Sequence, residues 1–525
     1  MSRAVHSAFG RHGPRHYLAQ LKRVSLGDRP YQWWLGECMR LGRTDASFRL
    51  PAVGIVPATA IALGIFVCGV APAATIHVPS EQPSISAAIS AAATGDTITV
   101  AHGQYTGAAD RNLSFGGKDL VLQAGTGMSA ALIDLQDDGR FITFESGESS
   151  ASVVRGIRIR NGFAEYGGAI KCSAGTSPTI EDCWFSENIS GAIGGYELYG
   201  RPGGAICSID ASPTIRDCEF IANRGDPGGA MWISNSNVVI EDCLFDDNYA
   251  YTPGWGHNDH SDGGAIRVTN GSTAFVTGCT FTGNTASSNG GWYAESPGGA
   301  IHTSSSALTL DDCSFSGNAS YYGNSIAANG EEGQLDIVDC EFAESNSAVT
   351  VNHAVFSASG CSFTGPGYPG LAFAAGDVSE CLFTGIHGTV MSVGGGNCVI
   401  RSCTVSHNDG PITCVEGAIE IEQTVLSFGG AAPIDVDAGD VEVHHCVVFG
   451  HAGGDSLPVA HHDNLFVDPL FCAAASRNFT LCEDSPCRPG GNDWYLRVGA
   501  FAHGCGPCNT VVVPMSWGRL KALYR

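Results

Sequence analysis

The chain is 525 residues long, carries 52 Asp plus Glu against 27 Lys plus Arg, and has a formal net charge of −25. Only 15% of its residues are charged, while glycine occurs 70 times. A surface this acidic excludes binding to nucleic acid or to an anionic membrane through a basic face, and it favours solubility.

The first segment, 1–50, is a basic extension with nine Lys plus Arg against three Asp plus Glu, which leaves the rest of the chain near −31. The segment 51–74 follows without a charge. Its apolar run from Ile55 to Val70 is short for a spanning helix, and Ala71-Pro72-Ala73 resembles a signal-peptidase site. Arg40, Arg43 and Arg49 precede it, so a start at Met39 gives an ordinary secretory signal. The segment is read as cleaved, with retention as an anchor as the alternative. Either way the expectation is an exported protein, extracellular or at the cell surface in association with the outer membrane. Membrane contact then comes only from an uncleaved signal segment or the export machinery. Cys68 follows Phe66-Val67, which departs from the small residues of a lipidation box.

Residues 75–105 precede the repeats. From 106 to 466 the chain repeats itself. The phrase C-x-F-x-x-N starts at Cys183, Cys218, Cys243, Cys279 and Cys313 and ends at Asn188, Asn223, Asn248, Asn284 and Asn318. Gly-Gly-Ala-Ile at 167, 203, 263 and 298, and Gly-Gly-Ala-Met at 228, precede each copy by 15 or 16 residues. Weaker copies begin at Cys340, Cys361, Cys381, Cys403 and Cys446. Fixed phrases at a fixed offset mark stacked supersecondary units, none of which buries its apolar face alone. Steps of 20 to 22 residues between Cys340 and Cys403 fit one bare coil of a parallel β-solenoid, and longer steps fit coils with insertions. Strand alternation puts Ile180, Cys183 and Phe185 inside and Trp184 outside, with a corner at Glu181-Asp182. The Asn residues are read as tolerating a left-handed corner, and Gly-Gly as freeing the next one.

Gly-Gly-Ala-Ile followed by C-x-F-x-x-N resembles the repeats of chlamydial-type polymorphic outer membrane proteins and, more broadly, bacterial right-handed parallel β-helix proteins of the pectin-lyase-like fold. Thr75-Ile76-His77-Val78-Pro79 through Gly103-Gln104-Tyr105 looks like the cap of that fold. Asp468-Pro469-Leu470-Phe471 with Phe479-Thr480-Leu481 looks like its closing coil. The resemblance implies an all-β, single-stranded right-handed parallel β-helix with a short N-terminal helical cap, and it says little of activity. The segment after Cys446 is too short for an eight-stranded membrane barrel, so anchoring through one is not expected.

The chain has 21 cysteines. The ladder Cys183, Cys218, Cys243, Cys279 and Cys313 would stack at about 4.8 Å with parallel Cβ vectors. That geometry suits buried free thiols better than disulfides. Cys172 and Cys207 are a candidate pair. Disulfides are expected in the Cys-rich closing segment 467–508, which holds Cys472, Cys482, Cys487, Cys505 and Cys508. The basic tail 509–525 is read as a frayed end, or as a short docking segment.

Catalytic signals are thin. A polyuronate lyase needs Lys or Arg beside calcium-binding carboxylates, yet no Lys occurs between Lys171 and Lys521. Arg201, Arg216, Arg224, Arg267 and Arg401 recur at no common place in the coil. Asp137-Asp138 reads as a turn. The insertions Ile189 to Pro202, Tyr249 to Asp262 and Thr285 to Pro297 map to one flank. They carry Tyr196, Tyr199, Tyr249, Tyr251, Trp255, Trp292 and Tyr293, rings that could stack on sugars or grip a protein; Tyr321 and Tyr322 follow the next Asn. Asp259, His260 and Asp262, with His257 and Asn258, are candidate metal ligands or acid–base groups, against a reading as solvated loop. His444-His445 and His461-His462-Asp463 are read as solvated pairs. Asp182, Asp217, Asp242, Asp312 and Asp339 stack as a carboxylate ladder that corner N–H groups or calcium would satisfy. No other cofactor is expected. The function expected is a non-catalytic glycan- or protein-binding, adhesin-like module whose partner is a polysaccharide or a cell-surface protein. A polysaccharide lyase or glycoside hydrolase and a structural spacer are the alternatives.

Overall fold

The computed structural model describes residues 72–125, 131–191, 201–252, 261–288, 297–320, 324–343, 347–366 and 370–508. Two units are distinguished, Met1–Val70 and Ala71–Arg525, and the described residues all belong to the second. The basic extension, the apolar run and the tail 509–525 lie outside them.

Parallel pairing begins inside the segment read as a cap. Thr75–Val78 pairs in register with Thr97–Val100, and Thr97–Val100 pairs with Val121–Ala124. Between the first two strands runs the helix Ile85–Ala91, whose first turn is capped by Ser84 Oγ accepting from Ala87 N–H at 3.2 Å. Ile85, Ala88 and Ile89 turn into the core and cover the apolar end of the stack.

Each later coil repeats one path. The Ala-Ile strand and the strand before the thiol contribute to a 27-stranded sheet, and the Phe-bearing strand contributes to a 14-stranded sheet. A strand of two to four residues after the Asn contributes to a 6-stranded sheet. Among the described residues, apart from the closing hairpin and two isolated antiparallel bridges, the strand pairings are parallel, so the chain winds as a parallel β-helix. Alternation fills the interior with columns of like residues. Phe185, Phe220, Phe245, Phe281, Phe315, Phe342, Phe363 and Phe383 stack ring on ring at 4.7 to 4.9 Å. All are fully buried, whereas Trp184 faces outward, half-buried. The ladder cysteines are buried free thiols, as the spacing required.

Two kinds of corner join the strands. Asp182, Asp217, Asp242, Asp312 and Asp339 have φ between 50 and 53°. The carboxylate ladder is therefore a column of left-handed corner residues, a conformation that Asp adopts more readily than most side chains. The second corner overturns the reading of the Asn column. Its left-handed residues are Glu187, Ala222, Asp247, Gly283 and Gly317, each just before the Asn. The asparagines instead form an interior hydrogen-bond ladder: Asn223 Oδ1 accepts from Asn188 N–H at 3.1 Å and from Asn188 Nδ2 at 3.0 Å. Asn188 Nδ2 also donates to Ile159 C=O at 3.1 Å. The same bonds recur through Asn248, Asn284 and Asn318. A corner tolerates any small polar residue, but this ladder needs an amide that donates and accepts.

The two glycines of each Gly-Gly have different causes. Gly263 takes φ +67°, which a side chain resists. At Gly264 a Cβ would sit 1.9 Å from Gly299 C=O, so the backbones pack too closely for any side chain.

Cys172 and Cys207 do not pair. Cys172 is in register with Ser208 and Cys207 with Lys171, so the two sulfurs lie on opposite faces of the sheet, both as free thiols. The closing segment is not a parallel coil either. Phe471–Ala473 and Asn478–Leu481 form an antiparallel hairpin, tied down by disulfides Cys472–Cys505 and Cys482–Cys508, while Cys487 is free and buried.

Candidate binding face

The insertion flank has a built floor. Its short sheet runs Phe163–Ala164, Ile189–Ser190, Arg224–Gly225, Tyr249–Thr252, Thr285–Ser288 and Ala319–Ser320. The insertions therefore begin with a strand, and the extra residues follow it. Tyr249 and Tyr251 lie two apart on one strand and so share its outer face. Their rings stack at 5.3 Å with planes 15° apart. In the preceding coil, Arg224 is in register with Tyr249 and lays its guanidinium 4.8 Å over the Tyr251 ring. This cation–π arrangement fixes a flat, half-buried platform. Tyr196, Tyr199, Trp255, Trp292, Tyr293, Tyr321 and Tyr322 lie outside the described residues.

Beside the platform an outward column follows the Gly-Gly-Ala-Ile strands. Lys171, Cys207, Trp232, Arg267, His302 and Ala327 are in register along it. Trp232 packs 6.4 Å from the Tyr166 ring. Asp262, at the end of the second insertion, turns onto this column. Its Oδ2 lies 3.4 Å from Arg267 Nε and 3.3 Å from His302 Nδ1. Burial lowers the Arg267 pKa, and the Asp262 charge offsets part of that. His302 is nearly buried, and its Nε2 lies 3.0 Å from the Asn329 amide nitrogen. The network thus assigns Nδ1–H to the Asp262 side and leaves Nε2 as an acceptor. The Nε2 lone pair is therefore taken by Asn329, and Nδ1 faces the Asp262 carboxylate without an aligned hydrogen bond to it. Of the acid–base candidates, Asp262 is brought to an arginine and a histidine, while His257, Asn258, Asp259 and His260 lie outside the described residues.

Arg216 and Arg401 correct another reading, while Arg201, Arg224 and Arg267 keep separate places in the coil. Arg155, Arg216 and Arg401 all stand two residues before the ladder position, and Glu181 lies in register between Arg155 and Arg216. Both guanidiniums pair with its two oxygens. Burial pushes the Glu181 carboxyl up, but the hydrogen bonds and charges of Arg216 and Arg155 outweigh it and hold the pKa below the ordinary value. One coil beyond Arg216 stands Glu241, so the column alternates in sign. Its regularity is invisible when arginine is counted alone.

Near the same corner, Gly156, Arg158, Asp182, Trp184, Asp217 and Glu219 line a cleft of about 270 Å³. Arg158 covers the Trp184 ring at 4.5 Å.

With this geometry in hand, comparison places the chain in a family. The family described as a right handed beta helix region matches residues 146–315 and 298–467. The two matches together span more than half of the chain, and the chain belongs to that family. The coils therefore wind right-handed. The crystal structure of PfbA, a surface adhesin of Streptococcus pneumoniae, is similar at 12% identity over 69% of this chain and 88% of that one. Its TM-score is 0.29, a superposition too loose to argue from. No curated protein matches the chain.

Proposed function

We propose that this β-helix is an exported binding module that takes a linear glycan along its insertion flank without transforming it. The observation that supports the reading is the Arg224–Tyr249–Tyr251 platform, where an arginine in the neighbouring coil holds two stacked rings flat. Tyrosine rings and an arginine gathered at one surface suit the apolar patches and hydroxyls of sugars, and a repeat of strands offers successive subsites along one polymer. Export is supported by the disulfides of the closing segment, which persist in an oxidising compartment. The repeat phrases carry the likeness to polymorphic outer membrane proteins, which favours a place at the cell surface.

The test is a polysaccharide panel assayed for binding and for release of reducing ends or unsaturated products. The expected result is retention of at least one polymer with no product. Replacing Tyr249 and Tyr251 together by Ala should weaken that binding about tenfold or more. Product release would establish the lyase or hydrolase alternative. No polymer retained, with a cell-surface protein bound instead, would move the partner from glycan to protein. Loss of neither ligand in the double variant would leave the flank as a spacer surface.

A further inference from the structure

Two outward columns run side by side over the C-terminal coils. Glu420, Glu442 and Ala460 are in register in one, and Arg401, Glu422, His444 and His462 in the other. Ile421 and Val443 stand between them and point into the core, so the polar residues on either side share one outer face. Each Glu reaches diagonally to the histidine of the next coil. Glu420 Oε1 lies 3.0 Å from His444 Nε2, and Glu442 Oε1 lies 3.2 Å from His462 Nε2. The two imidazoles stack at 5.1 Å with planes 5° apart. Glu422 pairs through Oε1 with Arg401. Donor atoms of Glu420, Glu422 and His444 all lie within 4.8 Å of one another.

We propose that Glu420, Glu422 and His444 hold a divalent transition-metal ion of the zinc class, with His462 and Glu442 beside it. Three further observations carry this. The first is charge: Glu420, Glu422 and Glu442 face one arginine, and Glu420 and Glu442 repel each other one strand spacing apart. A cation between the columns relieves that repulsion. The second is orientation. His444 Nδ1 lies 3.0 Å from His445 Nδ1, so one of the two carries the proton. Glu420 Oε1 accepts from His444 Nε2–H at 3.0 Å, so the carboxylate and the imidazole nitrogen converge on one point where an ion would take the place of the shared proton, with His445 Nδ1 left to accept from His444 Nδ1–H. His445 is itself fixed, at a left-handed corner with φ 55° and edge-on to Trp494 at 5.1 Å. The third is access. Glu420 is about half exposed, and with Glu442 it borders a cleft of about 770 Å³. One imidazole with carboxylates selects zinc-class ions over calcium, whose ligands are all oxygen.

The experiment is calorimetric titration of the oxidised full chain with zinc sulfate after chelator treatment, with cobalt(II) absorption as a second probe. One saturable equivalent is expected, with a cobalt spectrum free of thiolate charge transfer. His444→Ala and Glu420→Gln should each weaken binding at least tenfold while leaving circular dichroism unchanged. Glu420 is about half exposed, so its variant keeps the test open if His444→Ala fails to fold. Absence of saturable binding would overturn the proposal. So would full binding by both variants, or a thiolate band, which would assign the metal to free cysteine.

Discussion

Asn248 Oδ1 accepts two hydrogen bonds from Asn223, one from the backbone N–H at 3.1 Å and one from Nδ2 at 3.0 Å. Asn248 in turn donates to Phe220 C=O at 2.8 Å and, through both its nitrogens, to Asn284 Oδ1. One side chain thus satisfies buried groups in the coils on both sides. Asn248→Ala strands two donors of Asn223 and one carbonyl in the core. Each stranded group costs about 1–3 kcal/mol, so the variant should lose roughly 3 kcal/mol or more in chemical denaturation. A loss under about 1 kcal/mol would mean that the ladder does not carry the stack.

Phe245 lies between Phe220 and Phe281, 4.8 Å from each ring. Replacing it by Ala opens a cavity that a column of fixed rings cannot close, at about 3 to 5 kcal/mol. Because coils contact only their neighbours, the loss should appear as local opening, seen as faster hydrogen exchange in the coils 218–281. An unchanged exchange profile would count against the column.

The free thiols should be inert in the folded chain. All fifteen free cysteines among the described residues are buried. Burial pushes Cys446 up to about 12, and it holds Cys218 and Cys381 well above the usual thiol range; Cys243 and Cys313 run the other way, lowered by hydrogen bonds from neighbouring ladder thiols, so burial alone keeps the reagent from them. Ellman's reagent at pH 8 should leave them unmodified in the native protein and titrate them after denaturation. Cys38 and Cys68 lie outside the described residues and are counted separately. Rapid native reaction at the ladder would be read from mass spectrometry of Cys183 to Cys313.

Glu181 makes stability depend on acid. Its carboxyl is depressed in the folded state, so its contribution is complete above its unfolded value near 4.3 and is lost as pH falls through the lower folded value. The melting temperature should drop between about pH 5 and 3. Glu181→Gln should show a smaller drop over the same range. Equal slopes for the two proteins would remove the Arg155–Glu181–Arg216 stack as the cause.

Much of this was readable from the chain alone, for a physical reason. A buried column tolerates little variation, so Phe, Cys and the Gly-Gly pair recur as a phrase and disclose the winding. The role of Asn is not legible in the chain, because the left-handed residue is the one before it, and that position varies from Glu187 through Ala222 to Gly283. Outer columns hide for another reason. Arg155, Glu181 and Arg216 alternate in sign, and Glu420 meets His444 only through register between coils. The short flank sheet escaped notice because strands of two to four residues are too brief to show alternation. The platform tyrosines were visible as residues, yet Arg224 joined them only once the strands were stacked.

Asp217 and Asp242 share the same left-handed backbone, at φ 53° and 51°, each one residue ahead of a ladder thiol. A join from Asp217 directly to Cys243 would therefore remove residues 218–242 and still present Phe245 to Phe185 and Asn248 to Asn188. The same holds in reverse for a duplication. Length in such a chain can change in whole turns, and each new length inherits a complete set of internal partners. The length of the stack can then vary while the chemistry of each turn stays as it is.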